Sequence, residues 1–575
     1  MRIRDPEIRP DYREFPLIEN NRAVCTVVVG VDAPEKVRAA AEDFAGLMEK
    51  MCGDRPKILT DESPLPENPV LIGASKYTAA EGFAPLSGYP ENEVVYLKNC
   101  DNRCLVLLGN DSGAFFGTQF AVTMLFEKLG CGWFGPEELW QVVPKKENCS
   151  VGYLDVEQRP QFIARNNNVL FRFPEVGRRW YLGGAKRVAG HRMQVTYPPQ
   201  KYFKDHPDWY CMIDGKRDPL GVDWWQFCYS NEEVVKLFAD TVCDLFDKDP
   251  DLKQMAIGLN DGWYEGWCEC EGCKKMGTNS EIAIRFANKV AKLVAKKYPD
   301  HVLTFLAYFP TYFPPTEEIP VEPNVEFMFC KECDMFLPVD KGPDNGYHLK
   351  YSYVQSKNTY PEPWRKNFEK WNEIAHLKQI SIWDWYCIAA ARPEWKDIPW
   401  VQGDVITRNH RYWSEHKVQY IYNDQGPLPE FYEDGSSFPL RWPLWYVNAK
   451  GMWDKDLTGS QILQDACRKL FGRAADLMLS YYLALADIAI HNEAKTIGWH
   501  PPDPDLVYQV EDVIRIDDIF AAISVLKPHL TKEESARVEN QQQLWEKAKG
   551  VIAASAVKHD RPVAPGAIPL EESED

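Results

Sequence analysis

Residues 257–273, IGLNDGWYEGWCECEGC, contain the features from which the fold and the function are predicted. The stretch continues an apolar run, MAIGL, whose length and bulk are typical of a buried strand. Asn260-Asp261-Gly262 then supplies strong turn chemistry, so an amide and a carboxylate stand together where the strand ends. In barrel enzymes, catalytic groups gather at that rim. We therefore interpret the rest of the chain as a frame around this strand end.

The bulk composition limits the classes of function. The chain has 575 residues, 45% of them hydrophobic, which is enough for several domains with large cores. Its formal net charge of −19 argues against nucleic acid and against anionic membrane surfaces as partners. The 20 tryptophans and 27 tyrosines fit either large cores or an aromatic-lined sugar site, and composition leaves both open.

The compartment is predicted from the N-terminal sequence and the cysteine content. MRIRDPEIRP has no apolar core of the kind that an export signal needs, and no later stretch has the length of a membrane span. We therefore expect a cytoplasmic protein whose 16 cysteines are mostly reduced. A signal removed beforehand would instead make the protein periplasmic or secreted.

The order of strand and helix patterns predicts three domains. Residues 1–155 alternate short strands with helices, which predicts a small layered α/β domain. Residues 156–450 contain eight runs that end in polar clusters, with helical stretches between them, and predict a (β/α)₈ barrel of the TIM type. Residues 451–575 predict a helical domain with an acidic tail. The predicted barrel strands are residues 162–168, 188–191, 224–228, 254–259, 302–308, 325–330, 380–386 and 418–422.

Three aspartates stand at predicted strand ends: Asp261, Asp384 and Asp424. Glycoside hydrolysis needs two carboxyl groups that flank the scissile bond, one of which donates a proton to the leaving oxygen. A turn or a helix cap is the alternative role for each aspartate, because aspartate favours both. Three of them among tryptophans and tyrosines favour a site. We predict Asp261 as the acid, with Asp384 or Asp424 as its partner.

Side chains suited to sugar recognition surround these carboxylates. Tryptophan offers a flat apolar face, tyrosine adds a hydroxyl group, and a guanidinium fork binds pairs of oxygens. A lone histidine at a strand end is more often structural, although it can also contact substrate. Tyr422 offers a further aromatic face. The predicted substrate contacts are Arg165, Asn166, His191, Trp225, Asn260, Trp263, Tyr308, Trp383 and Tyr386.

A compact cysteine pattern follows the Asn-Asp-Gly turn. Cys268-x-Cys270-x-x-Cys273 supplies three thiols, and Cys228 ends the preceding predicted strand. Four thiolates would form a closed tetrahedral site for Zn²⁺ that is structural, because no position is left open for catalysis. Free thiols or a local disulfide are the alternatives, and a reducing compartment favours the metal.

The N-terminal region resembles the accessory domain that precedes the barrel in family 67 α-glucuronidases and in hexosaminidase-type glycosidases. In those families this domain mainly supports the barrel, so the resemblance implies no catalysis there. The likeness is carried by residues 110–122, NDSGAFFGTQFAV, by residues 129–136, LGCGWFGP, and by residues 142–144, VVP.

The remaining motifs resemble a bacterial "domain of unknown function" barrel family that includes the family 163 endo-β-N-acetylglucosaminidases. The resemblance implies cleavage of an N-acetylhexosaminide in which the substrate's own acetamide attacks the anomeric carbon, a recognised exception to the two-carboxylate scheme. The family usually ends strand eight with a glutamate before a glycine, whereas this chain has Asn423-Asp424-Gln425-Gly426. The motifs are residues 206–210 (HPDWY), 227–231 (FCYSN), 260–262 (NDG) with the cysteine pattern, 382–386 (IWDWY) and 465–482.

These observations predict a glycoside hydrolase that acts on an oligosaccharide, with several alternatives. One is an exo-acting enzyme on uronic acids, similar to family 67, in which Arg165 would hold the substrate carboxylate. Another is a non-catalytic carbohydrate-binding protein on a decayed barrel, which the missing glutamate favours. A metal hydrolase using the cysteine loop is disfavoured by the closed ligand set. The oligomeric state stays open, and a homo-oligomer is one option.

Overall fold

The computed structural model describes nine ranges of the chain, which fall into two compact units. The first unit comprises Met1–Gly184, Tyr386–Arg411 and Gln425–Asp575, and the second comprises Ala185–Trp385 and Tyr412–Asp424. The fold class is mixed α/β with a nearly closed barrel of eight strands, which confirms the predicted barrel. The sequence-based domain boundaries near residues 155 and 450 stay predictions. The described residues are 13–221, 225–261, 266–331, 338–341, 364–374, 380–386, 393–424, 438–491 and 502–570.

The N-terminal part of the first unit is built on a six-stranded sheet. Its strands and helices in chain order are β1 (Phe15–Glu19), β2 (Arg22–Ala23), β3 (Thr26–Val29), α1 (Glu35–Cys52), β4 (Ile58–Thr60), β5 (Pro69–Ile72), α2 (Lys76–Ala80), β6 (Val95–Asn99), β7 (Leu105–Gly109), α3 (Gly117–Lys128), β8 (Gly132–Trp133), β9 (Gln141–Val142), β10 (Cys149–Val151), β11 (Asp155–Gln158), β12 (Ala164–Asn167), α4 (Asn168–Arg172), α5 (Pro174–Arg179) and β13 (Gly183–Gly184).

The strand order of this sheet is β11-β6-β7-β5-β3-β4, parallel from β7 to β4 and antiparallel at β11 and β6. Val70, Leu107 and their neighbours are buried on both faces of the sheet, as is typical of parallel strands. The helix α1 packs Phe44 into the same core and ends at Gly53, whose φ of 84° suits glycine.

Residues 185–424 supply the parallel strands of the barrel. The strands and helices of this segment are β14 (Lys186–Val188), α6 (Arg192–Thr196), α7 (Pro199–Tyr202), α8 (Glu232–Lys248), β15 (Leu252–Ala256), α9 (Glu271–Lys274), α10 (Asn279–Val294), β16 (Val302–Ala307), β17 (Val325–Lys331), α11 (Trp364–Ile374), β18 (Ile380–Trp385), α12 (Gly403–Glu415) and β19 (Val418–Asp424). Each strand from β14 to β19 pairs in parallel with the next along the chain. All six carboxyl ends therefore lie on one side of the sheet.

Side chains alternate between the interior and the helical layer along these strands. Glu326 in β17 accepts bonds from Arg187, Thr304 and Ser381, which belong to three other strands, so it lies inside the curved sheet. The next residue, Phe327, packs its ring 4.7 Å from the ring of Trp371 in α11, so it lies on the outer face. This alternation decides which side chains reach the mouth of the barrel.

One predicted strand is not a strand in the structure. Residues 225–228 form only an isolated antiparallel bridge between Phe227 and Tyr210, and β13 is the additional strand of the eight-stranded sheet. The backbone of this segment bonds to loops: the amide of Gln226 donates to the carbonyl of Gly266 at 3.2 Å, and the amide of Cys228 donates to the carbonyl of Trp209 at 2.8 Å. The apolar run is thus buried without joining a sheet. Trp224 lies outside the described residues.

The C-terminal part of the first unit is helical, as predicted. In the described ranges, no helix combines the length and the hydropathy that crossing a bilayer requires. The helices are α13 (Phe438–Trp453), α14 (Gly459–Phe471), α15 (Ala475–His491), α16 (Pro504–Val507), α17 (Val510–Leu526) and α18 (Lys532–Lys558).

The buried ion pair inside the second unit gives a stability prediction. Arg187 Nη1 lies 3.0 and 3.1 Å from the carboxylate oxygens of Glu326, and both side chains are nearly inaccessible. Arg187→Met would leave the carboxylate buried without its partner, which we expect to lower the free energy of unfolding by about 3–5 kcal/mol. Urea unfolding followed by fluorescence measures this change.

The matched control is Lys236→Met, which removes a cation from an ion pair with Asp240 on the surface of the same unit. We expect the control to leave the unfolding midpoint almost unchanged, because exposed pairs contribute little to stability. Equal midpoints for the two variants would contradict a structural role for the Arg187–Glu326 pair.

Candidate active site

The carboxyl ends of the parallel strands bring a set of polar and aromatic side chains together. His191 follows β14, Asp261 follows β15 and Tyr308 follows β16, while Trp383 and Tyr422 lie near the ends of β18 and β19. Their mutual contacts, described below, connect them into one group. Asp424 shares the face of β19 that carries Tyr422, so we add it to these five and call the six residues the mouth cluster: His191, Asp261, Tyr308, Trp383, Tyr422 and Asp424.

Asp261 is held by hydrogen bonds of both its side chain and its backbone. The hydroxyl of Tyr308 donates a hydrogen bond to Asp261 Oδ1 at 3.2 Å. The backbone amide of Asp261 donates to Gln194 Oε1, also at 3.2 Å, which fixes the direction of the chain there. The side chain of Asp261 is 47% exposed, so it is held on one side and open to a ligand on the other.

His191 faces the same carboxylate. Its Nδ1 lies 2.6 Å from the carbonyl oxygen of Leu259, and because a carbonyl only accepts, Nδ1 carries the proton. Nε2 is directed to Asp261 Oδ1 at 3.9 Å. The imidazole is therefore held beside the carboxylate with Nε2 toward it.

Aromatic rings form a wall beside this pair. The ring of His191 lies 5.9 Å from that of Tyr308 and 6.3 Å from that of Trp383. Trp383 meets Tyr422 edge to face at 4.6 Å. Gly190, which precedes His191, has a φ of 94°, in the left-handed region that favours glycine. The wall is the kind of surface on which a pyranose ring packs.

Asp424 belongs to the same side of the barrel as Tyr422. The two residues are two apart in β19, so their side chains point to the same face. Burial, with a contribution from the charge of Asp424, holds the pKa of Tyr422 well above its usual range. The carboxylate is thus close enough to act electrostatically on the aromatic wall. Asp261 and Asp424 are the two predicted catalytic residues that the mouth cluster contains.

Asp384 does not lie in the mouth cluster, which corrects its predicted catalytic role. It is fully buried, with Oδ1 3.5 Å from Lys331 Nζ and Oδ2 accepting a hydrogen bond from Trp413 Nε1 at 3.3 Å. Trp413 belongs to α12, so Asp384 points to the helical layer while its neighbour Trp383 points to the mouth. The cause is the alternation of side chains in β18.

Two predicted substrate contacts in the first unit are occupied by structural bonds. Arg165 is fully buried, and its guanidinium forms two bonds of 2.8 and 2.9 Å with the carboxylate of Glu93. Tyr386 is also fully buried, and its hydroxyl accepts a bond from Asn409 Nδ2 at 2.8 Å. Neither side chain is open to a ligand, which corrects both predictions. Asn166 is buried in β12, and its role as a contact stays a prediction.

The predicted contacts next to Asp261 also have structural roles. Trp225 is buried, with its ring against those of Tyr210 and Phe227 at 5.3 and 5.1 Å, so it offers no free face. Asn260 donates its side-chain amide to the carbonyl of Trp225 at 2.5 Å. These contacts position the turn, and the role of both residues as substrate contacts stays a prediction. Trp263 lies outside the described residues.

Sequence reasoning missed the residue that holds this turn. Gln226 Oε1 accepts from the amide of Asn260, and Gln226 Nε2 donates to the carbonyl of Asn260, each at 3.0 Å. The side chain of Gln226 is fully buried. Its donor and acceptor pair with the backbone of Asn260 as the backbone of a neighbouring strand would. A polar residue inside the apolar run WWQFC was the available signal, because a buried amide needs partners.

The four cysteines predicted as metal ligands lie together. Their sulfur atoms are all within 4.8 Å of one another, and three of the four side chains are buried. Cys228 Sγ lies 3.7 Å from Cys270 Sγ and 4.0 Å from Cys273 Sγ. The remaining member is Cys268. The arrangement joins the segment before α8 to the loop that follows Asp261.

Residues 136–483, more than half of the chain, match a family model described as a domain of unknown function, DUF4838. The chain belongs to the DUF4838 family. Comparison of this DUF4838 protein with curated proteins gives no match. The matched range includes every residue of the mouth cluster and all four clustered cysteines.

Several solved structures similar to this DUF4838 protein are glycoside hydrolases. A family 115 4-O-methyl-α-glucuronidase with specificity for decorated arabinogalactans has a TM-score of 0.59 at 11% identity, over 95% of this chain and 74% of that chain. A family 89 glycoside hydrolase from Clostridium perfringens gives 0.49 at 8% identity, over 92% and 64%. A mutant β-hexosaminidase from Streptomyces plicatus gives 0.42 at 12%, over 82% and 92%. At such identities the first likeness shows a shared fold.

The different environments of Asp384 and the mouth carboxylates give a prediction for this DUF4838 protein. We expect Asp384→Asn to lower the free energy of unfolding by about 3–5 kcal/mol, because the buried Lys331 would lose the charge that Asp384 provides. The double variant Lys331→Met/Asp384→Asn removes both charges of this pair and should regain part of the loss. Free energies of unfolding from urea titrations of the wild type, Asp384→Asn, Lys331→Met and the double variant form a double-mutant cycle. Unchanged stability in Asp384→Asn would contradict the structural assignment.

Proposed function

We propose that this protein is a glycoside hydrolase that cleaves an oligosaccharide at the mouth cluster, with Asp261 and Asp424 as its catalytic carboxylates. The observation that supports this proposal is the contact of Asp261 with Tyr308 and His191 at the carboxyl ends of parallel strands. Catalytic groups of barrel enzymes occupy that end, because the loops there are free to vary around a rigid sheet. The similarity in fold to a family 115 glucuronidase agrees with the proposal.

The contacts of Asp261 fit the role of the acid. Tyr308 donates to Oδ1, and His191 Nε2 faces the same oxygen, so Oδ2 is the atom that would carry the proton to the leaving oxygen. After transfer, the Tyr308 hydroxyl stabilises the carboxylate that remains. A proton held by His191 would then restore the acid for the next turnover.

Asp424 fits the role of the second carboxylate. It is half-buried at the end of β19, on the face that carries Tyr422. There it would either stabilise positive charge at the anomeric carbon or orient the acetamide of an N-acetylhexosaminide for attack. The family that the sequence resembles usually ends this strand with a glutamate before a glycine, whereas this chain has Asn423-Asp424-Gln425-Gly426.

We propose an N-acetylhexosaminide as the substrate class, on the basis of the resemblance to family 163. The likeness in fold to a 4-O-methyl-α-glucuronidase supports a uronic acid glycoside as the second candidate. Arg165, the residue expected to bind a uronic acid, is engaged by Glu93, which removes the sequence-based support for that alternative. The aromatic wall of Trp383 and Tyr422 suits either sugar ring.

Turnover of chromogenic glycosides by single-site variants tests the proposal. We expect hydrolysis of 4-nitrophenyl N-acetylglucosaminides or of a chitooligosaccharide by the wild type, with little action on 4-nitrophenyl glucuronides. Asp261→Asn and Asp424→Asn should each lower kcat by about 10²–10⁴-fold, the range supplied by a positioned acid or base. Circular dichroism should show an unchanged fold.

The control is Asp240→Asn, since Asp240 is a carboxylate on the exposed surface of α8, where its side chain is 62% accessible. Its rates should equal those of the wild type. Near-normal turnover in the Asp261 and Asp424 variants would refute the assignment of the carboxylates. Binding of oligosaccharide without product in long incubations would instead favour a carbohydrate-binding protein.

A further inference from the structure

We propose that Cys228, Cys268, Cys270 and Cys273 bind one Zn²⁺ ion as a closed four-thiolate site that fixes the turn carrying Asp261. The metal site stands on the cysteine geometry alone and is independent of the proposed hydrolase activity. Only its consequence for Asp261 bears on catalysis. The ion would be structural, because four protein ligands complete the tetrahedron and leave no position for water or substrate.

The sulfur spacing fits a shared metal ion. Zn–S bonds of roughly 2.3 Å in a regular tetrahedron place the sulfur atoms about 3.8 Å apart. The distances from Cys228 Sγ to Cys270 Sγ and Cys273 Sγ are 3.7 and 4.0 Å, on either side of that value. A disulfide requires about 2.05 Å. The pairs therefore have the separation of ligands around an ion and not that of a bonded pair.

Donors around the sulfur atoms are arranged to stabilise thiolates. The backbone amide of Met212 donates to Cys268 Sγ at 3.3 Å, and that of Cys273 donates to Cys270 Sγ at 3.4 Å. Arg217 Nη2 lies 3.9 Å from Cys228 Sγ. Four thiolates and Zn²⁺ have a net charge of −2, so a nearby guanidinium and N–H donors offset the excess negative charge.

The four sulfur ligands limit the choice of metal. Thiolates are soft donors, and a tetrahedral set of four sulfurs is typical of zinc or of an iron–sulfur site. Zn²⁺ binding displaces the thiol protons and forms four Zn–S bonds, with no change of oxidation state. We assign zinc because the proposed role is purely structural and needs no redox partner.

The site lies on both chain segments that hold the Asp261 turn. Gln226, two residues before Cys228, bonds the amide and the carbonyl of Asn260. The amide of Gln226 also donates to the carbonyl of Gly266, two residues before Cys268, at 3.2 Å. The ion would link these two segments through its Zn–S coordination bonds. Without the ion, the described part of the turn would still be held by the hydrogen bonds of Gln226, Gln194 and Tyr308.

Metal analysis of the full-length protein tests the proposal directly. Inductively coupled plasma mass spectrometry of wild-type protein, purified under reducing conditions without added metal, should find about one zinc per chain. Cys273→Ala and Cys270→Ser should reduce bound zinc to near none, because each removes one of four ligands. The control Cys211→Ala removes an equally buried thiol that is not among the four, and should keep its zinc.

A measurement on the wild type keeps the test valid if a variant fails to fold. Titration with an organomercurial thiol reagent should release zinc, detected by a chromogenic chelator, and should lower the thermal midpoint. Wild-type protein without zinc, zinc retained in Cys273→Ala, or disulfides among the four cysteines under reducing purification would each overturn the site. Bound iron in place of zinc would overturn the choice of metal.

The metal site and the hydrolase proposal can fail independently of each other. Bound zinc together with absent glycosidase activity would support the metal site and refute the proposed function. Bound zinc that is removed without any change in unfolding midpoint would refute the structural role of the ion.

Discussion

Successive side chains of a β-strand point to opposite faces, and this constraint decides which groups of the barrel reach its mouth. In β18, the side chain of Trp383 forms part of the aromatic wall, so the side chain of Asp384 must face the helices. In β19, Tyr422 and Asp424 share a face for the same reason. A shift of one residue in either strand would exchange the side chains that face the mouth with those that face the helices. Strand register therefore decides which side chains the candidate site contains, and the contacts among them follow from it.

The register of the strands is in turn stabilised by charged side chains that are buried in the barrel. Inside the sheet, the Arg187–Glu326 pair is joined by Thr304 and Ser381, so four strands share one polar network. Outside the sheet, Asp384 pairs with Lys331 on the neighbouring strand and with Trp413 on α12. Slipping a strand would separate these partners and leave charges without compensation, which is costly in a low-dielectric interior. Buried polar pairs thus specify the geometry that the mouth requires.

The sequence predicted the architecture well because its signals are local. Apolar runs that end in polar residues located the six parallel strands to within a few residues, and the cysteine spacing identified thiols that the fold brings together. The roles of single side chains were harder to predict from the sequence. The partner of Arg165 is Glu93, 72 residues away, and no local pattern reveals such a pair. Asp384 looked catalytic because a strand end is visible in sequence, whereas the direction of its side chain is set by register. Trp225 and Tyr386 are aromatic but buried, and composition does not separate core rings from exposed ones.

A crystal structure of the Asp261→Asn variant with N,N′-diacetylchitobiose is the most direct test of the shared carbohydrate site. The account predicts a sugar ring against Trp383, the glycosidic oxygen within hydrogen-bond distance of the substituted side chain, and Asp424 in contact with the same sugar. Density for the sugar elsewhere on the protein, or an Asp424 side chain turned away from the bound ring, would contradict it.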